Sequence, residues 1–152
     1  MRIVLATAIA LVIAIPVDLA IEAFARQAFA VSPQFEPFQG TVAPYTAGGI
    51  ILAGATYGVL QRFARNAARV YVRLAIVALV LSWIPDVALL FINEPGATVP
   101  AVASLMVMHA VAAAVVVTLF VRIAGARARA QPLRPRRRAP PAPASRPSRE
   151  PR

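Results

Sequence analysis

The chain has 152 residues, 59% of them hydrophobic, with 16 basic residues against 6 acidic ones and no cysteine. Apolar residues gathered in long blocks at that overall content exclude an ordinary soluble domain, and a soluble enzyme with it. The missing thiol excludes disulfides, thiolate metal sites, iron–sulfur clusters and a cysteine nucleophile.

Four stretches reach the roughly 17 to 25 apolar residues that a helix needs to cross about 30 Å of hydrocarbon. They run over 3–22, 44–60, 74–92 and 100–121. The expected fold is therefore all-α, a membrane-spanning four-helix bundle over 1–123 followed by a disordered tail over 124–152. The first span has Ala6, Ala10 and Ala14 at intervals of four, and Pro16 and Asp18 inside it. Arg2 before an apolar run, with Ala-Phe-Ala repeats after it, also fits a cleaved signal peptide. The apolar run is longer than a signal core and carries Asp18 and Glu22, which favours retention. Glu22 and Arg26 follow Asp18 at spacings of four, a charged ladder at the outer end of the span. The connection from Phe24 to Tyr45 interleaves four phenylalanines with prolines and is expected to lie along the membrane interface.

The second span contains Gly54-Ala-Thr-Tyr-Gly58, a GxxxG whose small residues permit close helix approach. It is expected to pack on the alanine face of the first span, and its use between subunits, hence a homo-oligomer, stays open. Arg62, Arg65, Arg69 and Arg73 follow; a helical linker would align the last three as one basic stripe at anionic lipid headgroups. The third span holds Pro85 and Asp86, the fourth holds His109, the single histidine. Each proline frees a backbone carbonyl, so the kinks are expected to face protein or trapped water.

All sixteen basic residues are arginine, and all but Arg2 and Arg26 cluster between spans two and three and after span four. The positive-inside rule puts those segments in the cytoplasm, giving a multi-pass protein of the bacterial cytoplasmic membrane with both termini inside. The tail has nine arginines but no aromatic residue to stack on bases, so an anionic lipid surface suits it and nucleic acid does not.

Asp18, Asp86 and His109 are the ionisable groups inside the hydrocarbon region. Counting about 1.5 Å per residue from each span's midpoint brings them within about 6 Å of a common depth, with Tyr57, Ser82, Trp83 and Met106 as possible neighbours. Two uses compete. As structural glue, Asp86 bonds to His109 across a helix interface and nothing is transported. As a proton relay or polar ligand pocket, Asp86 and His109 pair, Asp18 supplies a second acceptor and the Pro85 kink opens space. A shared cavity reaching one membrane face favours the second; separate interfaces favour the first. A metal set from these residues and Glu22 lacks a compact ligand motif, so no metal or cofactor is expected. No nucleophile–base pair is recognisable either. The first functional reading is a non-enzymatic membrane scaffold or accessory protein, and the alternative is a small transporter or proton-coupled ligand binder.

At LSWIPD, Leu81 to Asp86, and LMVMHAVAA, Leu105 to Ala113, the chain resembles an uncharacterised family of small four-span membrane proteins found mainly in actinobacteria. That resemblance implies the four-span architecture and carries no activity. The family commonly has asparagine where Asp18 stands here.

Overall fold

The computed structural model describes residues 1–124, and the tail expected to be disordered lies outside the described residues from 125 onward. The described chain is all-helical. Four long helices, α1 (Arg2–Ala28), α2 (Val42–Phe63), α3 (Ala67–Ala88) and α4 (Val99–Leu119), are joined by short connections, with a 3₁₀ turn at Glu36–Phe38 and a π-helical turn at Phe120–Ala124. Three helices are long and apolar enough to cross a membrane: α1, α3, and α4 extended to Ile123. The second helix is not among them, because glycine, threonine and tyrosine dilute its apolar residues.

Helix ends differ from the apolar blocks for local reasons. The first helix continues past residue 22 to Ala28, where the ladder supplies an i,i+4 bridge from Arg26 Nε to Glu22 Oε1 at 3.0 Å. The third helix starts at Ala67, seven residues before its apolar block. Asn66 caps it, Oδ1 accepting from the Arg69 N–H at 3.2 Å. It stops at Ala88, and the chain turns through Asn93 (φ 56) and Gly96 (φ 77). Thr98 caps α4, its hydroxyl accepting from the Ala101 N–H at 3.4 Å.

The first helix packs on α2 and α4, and α3 packs on α4 and α2. Ala6, Ala10 and Ala14 are fully buried. Gly54 faces them: a Cβ on it would lie 2.6 Å from Thr7 Oγ1 and 3.2 Å from Phe120 Cζ. The GxxxG thus serves α1–α2 contact inside the chain, as its spacing suggested. Pro16 sits two residues from both Ala14 and Asp18, roughly 200° around the helix from each. Its ring and Val12 are accordingly exposed on the outer face, against the expectation that this kink faces protein.

Two apolar clusters form the core. One, toward the arginine-bearing α2–α3 turn, joins the alanine stripe to Ile50, Tyr57, Tyr71, Val116 and Phe120. Tyr57 and Tyr71 meet edge to face at 4.9 Å, and Phe120 lies 5.7 and 6.0 Å from them. The other cluster, at the opposite end, gathers Ala25, Phe35, Phe38, Val42, Ala101 and Met108, among others. Phe35 and Phe38 are thus buried, not interfacial; Phe24 and Phe29 remain exposed as an edge-to-face pair at 5.9 Å. Arg26 fastens this end. Its Nη2 donates to the Phe38 carbonyl, and its guanidinium lies 5.5 Å from the Phe38 ring centroid.

Candidate functional site in a crevice between the second and third helices

Asp18 extends the alanine stripe of α1 by one more step of four, so the register that buries Ala6, Ala10 and Ala14 also turns the carboxylate inward. It is 1% exposed and lies between the two apolar clusters. Thr46 arrives from α2 by the same logic, midway between buried Val42 and Ile50, and its hydroxyl donates to Asp18 Oδ2 at 2.8 Å. The other carboxylate oxygen, Oδ1, is buried without a hydrogen-bond partner.

Asp86 belongs to the inward face of α3, in step with Tyr71, Ala75, Leu79 and Ser82, and is 8% exposed. His109 lies one turn beyond Leu105 on α4. Its Nδ1 is 2.9 Å from the Leu105 carbonyl oxygen and 3.3 Å from Asp86 Oδ2. A carbonyl can only accept, so Nδ1 carries the proton and donates to Leu105. The expected Asp86–His109 pair is thus present as a 3.3 Å contact, an ion pair when the ring is protonated, without a hydrogen bond between the two. Asp86 Oδ2 is left buried without a hydrogen-bond partner, and Nε2 is the ring nitrogen not engaged by the Leu105 carbonyl.

Asp18, Asp86 and His109 line one cavity of about 830 Å³. The cavity is a crevice between α2 and α3, floored by α4 and by Asp18 of α1. It extends from Glu36 and Tyr45 at one end to Thr56 and Tyr71 at the other. Along α3, Asp86 and Tyr71 are separated by about 22 Å at 1.5 Å per residue, so the space is long and narrow. Its walls between the polar ends are aliphatic, including Ile50, Leu52, Ala53, Leu74, Ala78 and Leu79. Pro85 lines it too, although Pro85 and Leu81, whose carbonyl it frees, are both exposed.

The expected neighbours divide. Ser82 lines the cavity, although its hydroxyl donates to the Leu79 carbonyl at 2.7 Å. Trp83 instead ties α3 to α4, Nε1 donating to the Met106 carbonyl at 3.2 Å. Tyr57 stands in the far apolar cluster. Among the described residues, no three histidine, aspartate or glutamate side chains are arranged to hold a metal ion. Two residues escaped the sequence reading. Thr46 could have been found from its register with Val42 and Ile50. Tyr71 is 3% exposed with an unpartnered hydroxyl, and its place beside the arginine turn disguised it.

Arg62, Arg65, Arg69 and Arg73 are all exposed around the α2–α3 turn. Arg65 lies in the turn itself, before the cap at Asn66, so the linker is not helical and the stripe is a cluster around a reversal of the chain.

The sequence profile of one family, described as a family of unknown function (DUF6069), matches residues 1–126. The chain belongs to that family. The match covers all four helices and every cavity residue named above, so the crevice lies wholly within the DUF6069 region. No curated protein and no solved structure matches the chain.

Proposed function

We propose that this DUF6069 protein is an integral membrane protein whose α2–α3 crevice binds a small ligand, with occupancy linked to proton exchange at Asp18, Asp86 and His109. The observation that carries the reading is the pair of buried, unpartnered carboxylate oxygens, Asp18 Oδ1 and Asp86 Oδ2, on residues that line one cavity with the imidazole. Buried polar atoms are rarely left without partners, and here both belong to residues that line a space large enough to hold one. The titratable groups facing that space are Asp18 on α1, Glu36 in the connection, Tyr45 on α2, Tyr71 and Asp86 on α3, and His109 on α4. Proton exchange at the carboxylates and at Nε2 would then compete with, or accompany, the ligand.

In this reading the second helix crosses the membrane beside α1, and the arginine cluster lies at the cytoplasmic headgroups of a bacterial inner membrane, where it contacts anionic lipid. The charge asymmetry of the connections supports that orientation. A scaffold held together by polar contacts is the second reading, favoured by the Thr46–Asp18 and Trp83–Met106 bonds between helices. It leaves the two orphaned oxygens without a role.

The test is a proteoliposome assay with a pH-sensitive dye inside, an imposed pH gradient, and wild type compared with Asp86→Asn and His109→Ala. Proton movement in wild type, reduced in variants that remain folded, is the expected result. A wild type as tight as empty liposomes refutes the proton linkage and returns the polar residues to a structural role.

A further inference from the structure

The chemistry of the crevice selects among ligands, and this step rests on the reading of the crevice as a ligand site. At its polar end stand three carboxyl groups, Asp18, Glu36 and Asp86, against one imidazole, and no arginine lines the cavity. Two of those carboxyl groups each have a buried oxygen without a hydrogen-bond partner, the nearer donor being His109 Nδ1, 3.3 Å from Asp86 Oδ2 and committed to Leu105, although Asp18 is 1% and Asp86 8% exposed. What is missing is therefore a hydrogen-bond donor, best a charged one, because a cation both fills the acceptor positions and offsets the negative charge. Beyond that end the walls are aliphatic for most of about 22 Å, which suits a chain better than a disc. The lips of the crevice are exposed: Leu52 on α2 and Leu74 on α3 both line it and face outward, so in a membrane it opens sideways to lipid.

We infer that the crevice accommodates a single-chain lipophilic ammonium ion from the bilayer, its N–H donors at the Asp18 and Asp86 carboxyl groups and its alkyl chain along the α2–α3 walls toward Tyr71. The unpartnered Tyr71 hydroxyl at the far end is the place where a polar group at the chain terminus would be read. A zwitterionic phospholipid amine fits poorly, because its phosphate would accompany the ammonium into an acidic cavity. The ammonium and the transferred proton would occupy the same acceptor atoms, so the two would exclude one another. That competition gives the crevice the logic of an exchanger.

The experiment uses the full-length chain in a neutral detergent and follows thermal unfolding by the fluorescence of Trp83, the only tryptophan in the sequence. Dodecylamine, dodecanol and dodecanoate serve as probes of equal chain length. Dodecylamine is expected to raise the midpoint with concentration, and the other two to leave it unchanged, since only a ligand of the native state stabilises it. Asp18→Asn and Asp86→Asn are each expected to weaken the apparent affinity for the amine at least tenfold. A photoreactive amine of the same chain length, applied to wild type, makes the result independent of variant folding. Labels are expected on Ile50, Ala53 or Leu79; labels confined to outward positions such as Val12 and Ile76 overturn the proposal. Equal stabilisation by dodecanol, or preference for dodecanoate, overturns it as well. If proton movement persists while the alcohol binds as well as the amine, the ammonium assignment alone fails. If neither proton movement nor any probe binding is seen, the crevice as a proton-linked site fails with it.

Discussion

Replacing Gly54 and Gly58 separately by alanine should change stability in opposite directions, although the two glycines belong to one GxxxG. At Gly54 the new methyl carbon would lie 2.6 Å from Thr7 Oγ1 and 3.2 Å from Phe120 Cζ. Neither neighbour yields cheaply. The Thr7 hydroxyl donates to the Ile3 carbonyl at 2.9 Å, and a β-branched side chain on a helix has few other rotamers. Phe120 is fully buried against Tyr57 and Tyr71. Overpacking of this kind costs about 1–3 kcal/mol, against roughly 0.4–1 kcal/mol returned when alanine replaces glycine in a helix. The net expectation for Gly54→Ala is a loss of about 1–2 kcal/mol. At Gly58 the nearest atom would be Ile3 Cδ1 at 3.5 Å, an ordinary contact, so Gly58→Ala keeps the helix gain of about 0.4–1 kcal/mol. The variants should thus differ by about 2 kcal/mol, roughly 30-fold in the folded-to-unfolded ratio. Reversible unfolding of the full chain in mixed micelles, titrated with a denaturing detergent, reads that difference. Alanines that shift the midpoint equally, in either direction, would refute the packing of Gly54 against α1 and place that face against lipid or a second subunit.

Three further outcomes follow from local geometry. Thr46→Val removes the donor to Asp18 Oδ2 and should lower stability; in a double-mutant cycle with Asp18→Asn the coupling should be about 0.6 kcal/mol and below about 2, the range for hydrogen bonds between membrane helices. A coupling of zero would mean that the 2.8 Å contact does not form in the membrane. Gly96→Ala should cost about 1–3 kcal/mol, because φ is +77 and a Cβ would meet Ser32 Cβ at 2.8 Å; a thermal midpoint equal to wild type would contradict that turn. Arg26→Gln removes the Glu22 bridge and the cation over Phe38, so limited proteolysis between residues 30 and 40 should accelerate while α4 stays protected; unchanged cleavage would show that Phe35 and Phe38 hold the segment without it.

Spacing made the inward faces readable before any packing was known. Ala6, Ala10 and Ala14 mark the buried side of α1, and Asp18 falls on the same line, so its orientation was implicit in the stripe that precedes it. The GxxxG marked the α2 face that meets that stripe. What spacing cannot supply is the rotation of one helix against its neighbour. Depth alone brought Asp86 near His109, but not the choice of the His109 proton for the Leu105 carbonyl at 2.9 Å. Nor does hydrophobicity distinguish the buried Phe35 and Phe38 from the exposed Phe24 and Phe29, because lipid and protein interior are equally apolar surroundings. Helix starts set by hydrogen bonds were hidden for a related reason: Asn66 begins α3 amid arginines, outside the apolar block used to locate it. The crevice itself follows from the incomplete contact of two helices, a property that neither sequence segment carries alone.

Only Tyr71 and Asp86 are buried along the whole of α3, and the Trp83 indole supplies a hydrogen bond from α3 to the α4 backbone. A helix in a bilayer keeps its own backbone bonds when it leaves its neighbours, so the weak joint of this fold is between rods, not within one. Gentle loosening should therefore move α3 away intact: the emission of Trp83 would change while far-ultraviolet circular dichroism stays constant, and helix content would fall only at a later, separate step. The crevice and the seam that parts first share a helix, so any molecule lodged against α2 and α3 acts as a wedge or a clamp on the stability of the entire chain.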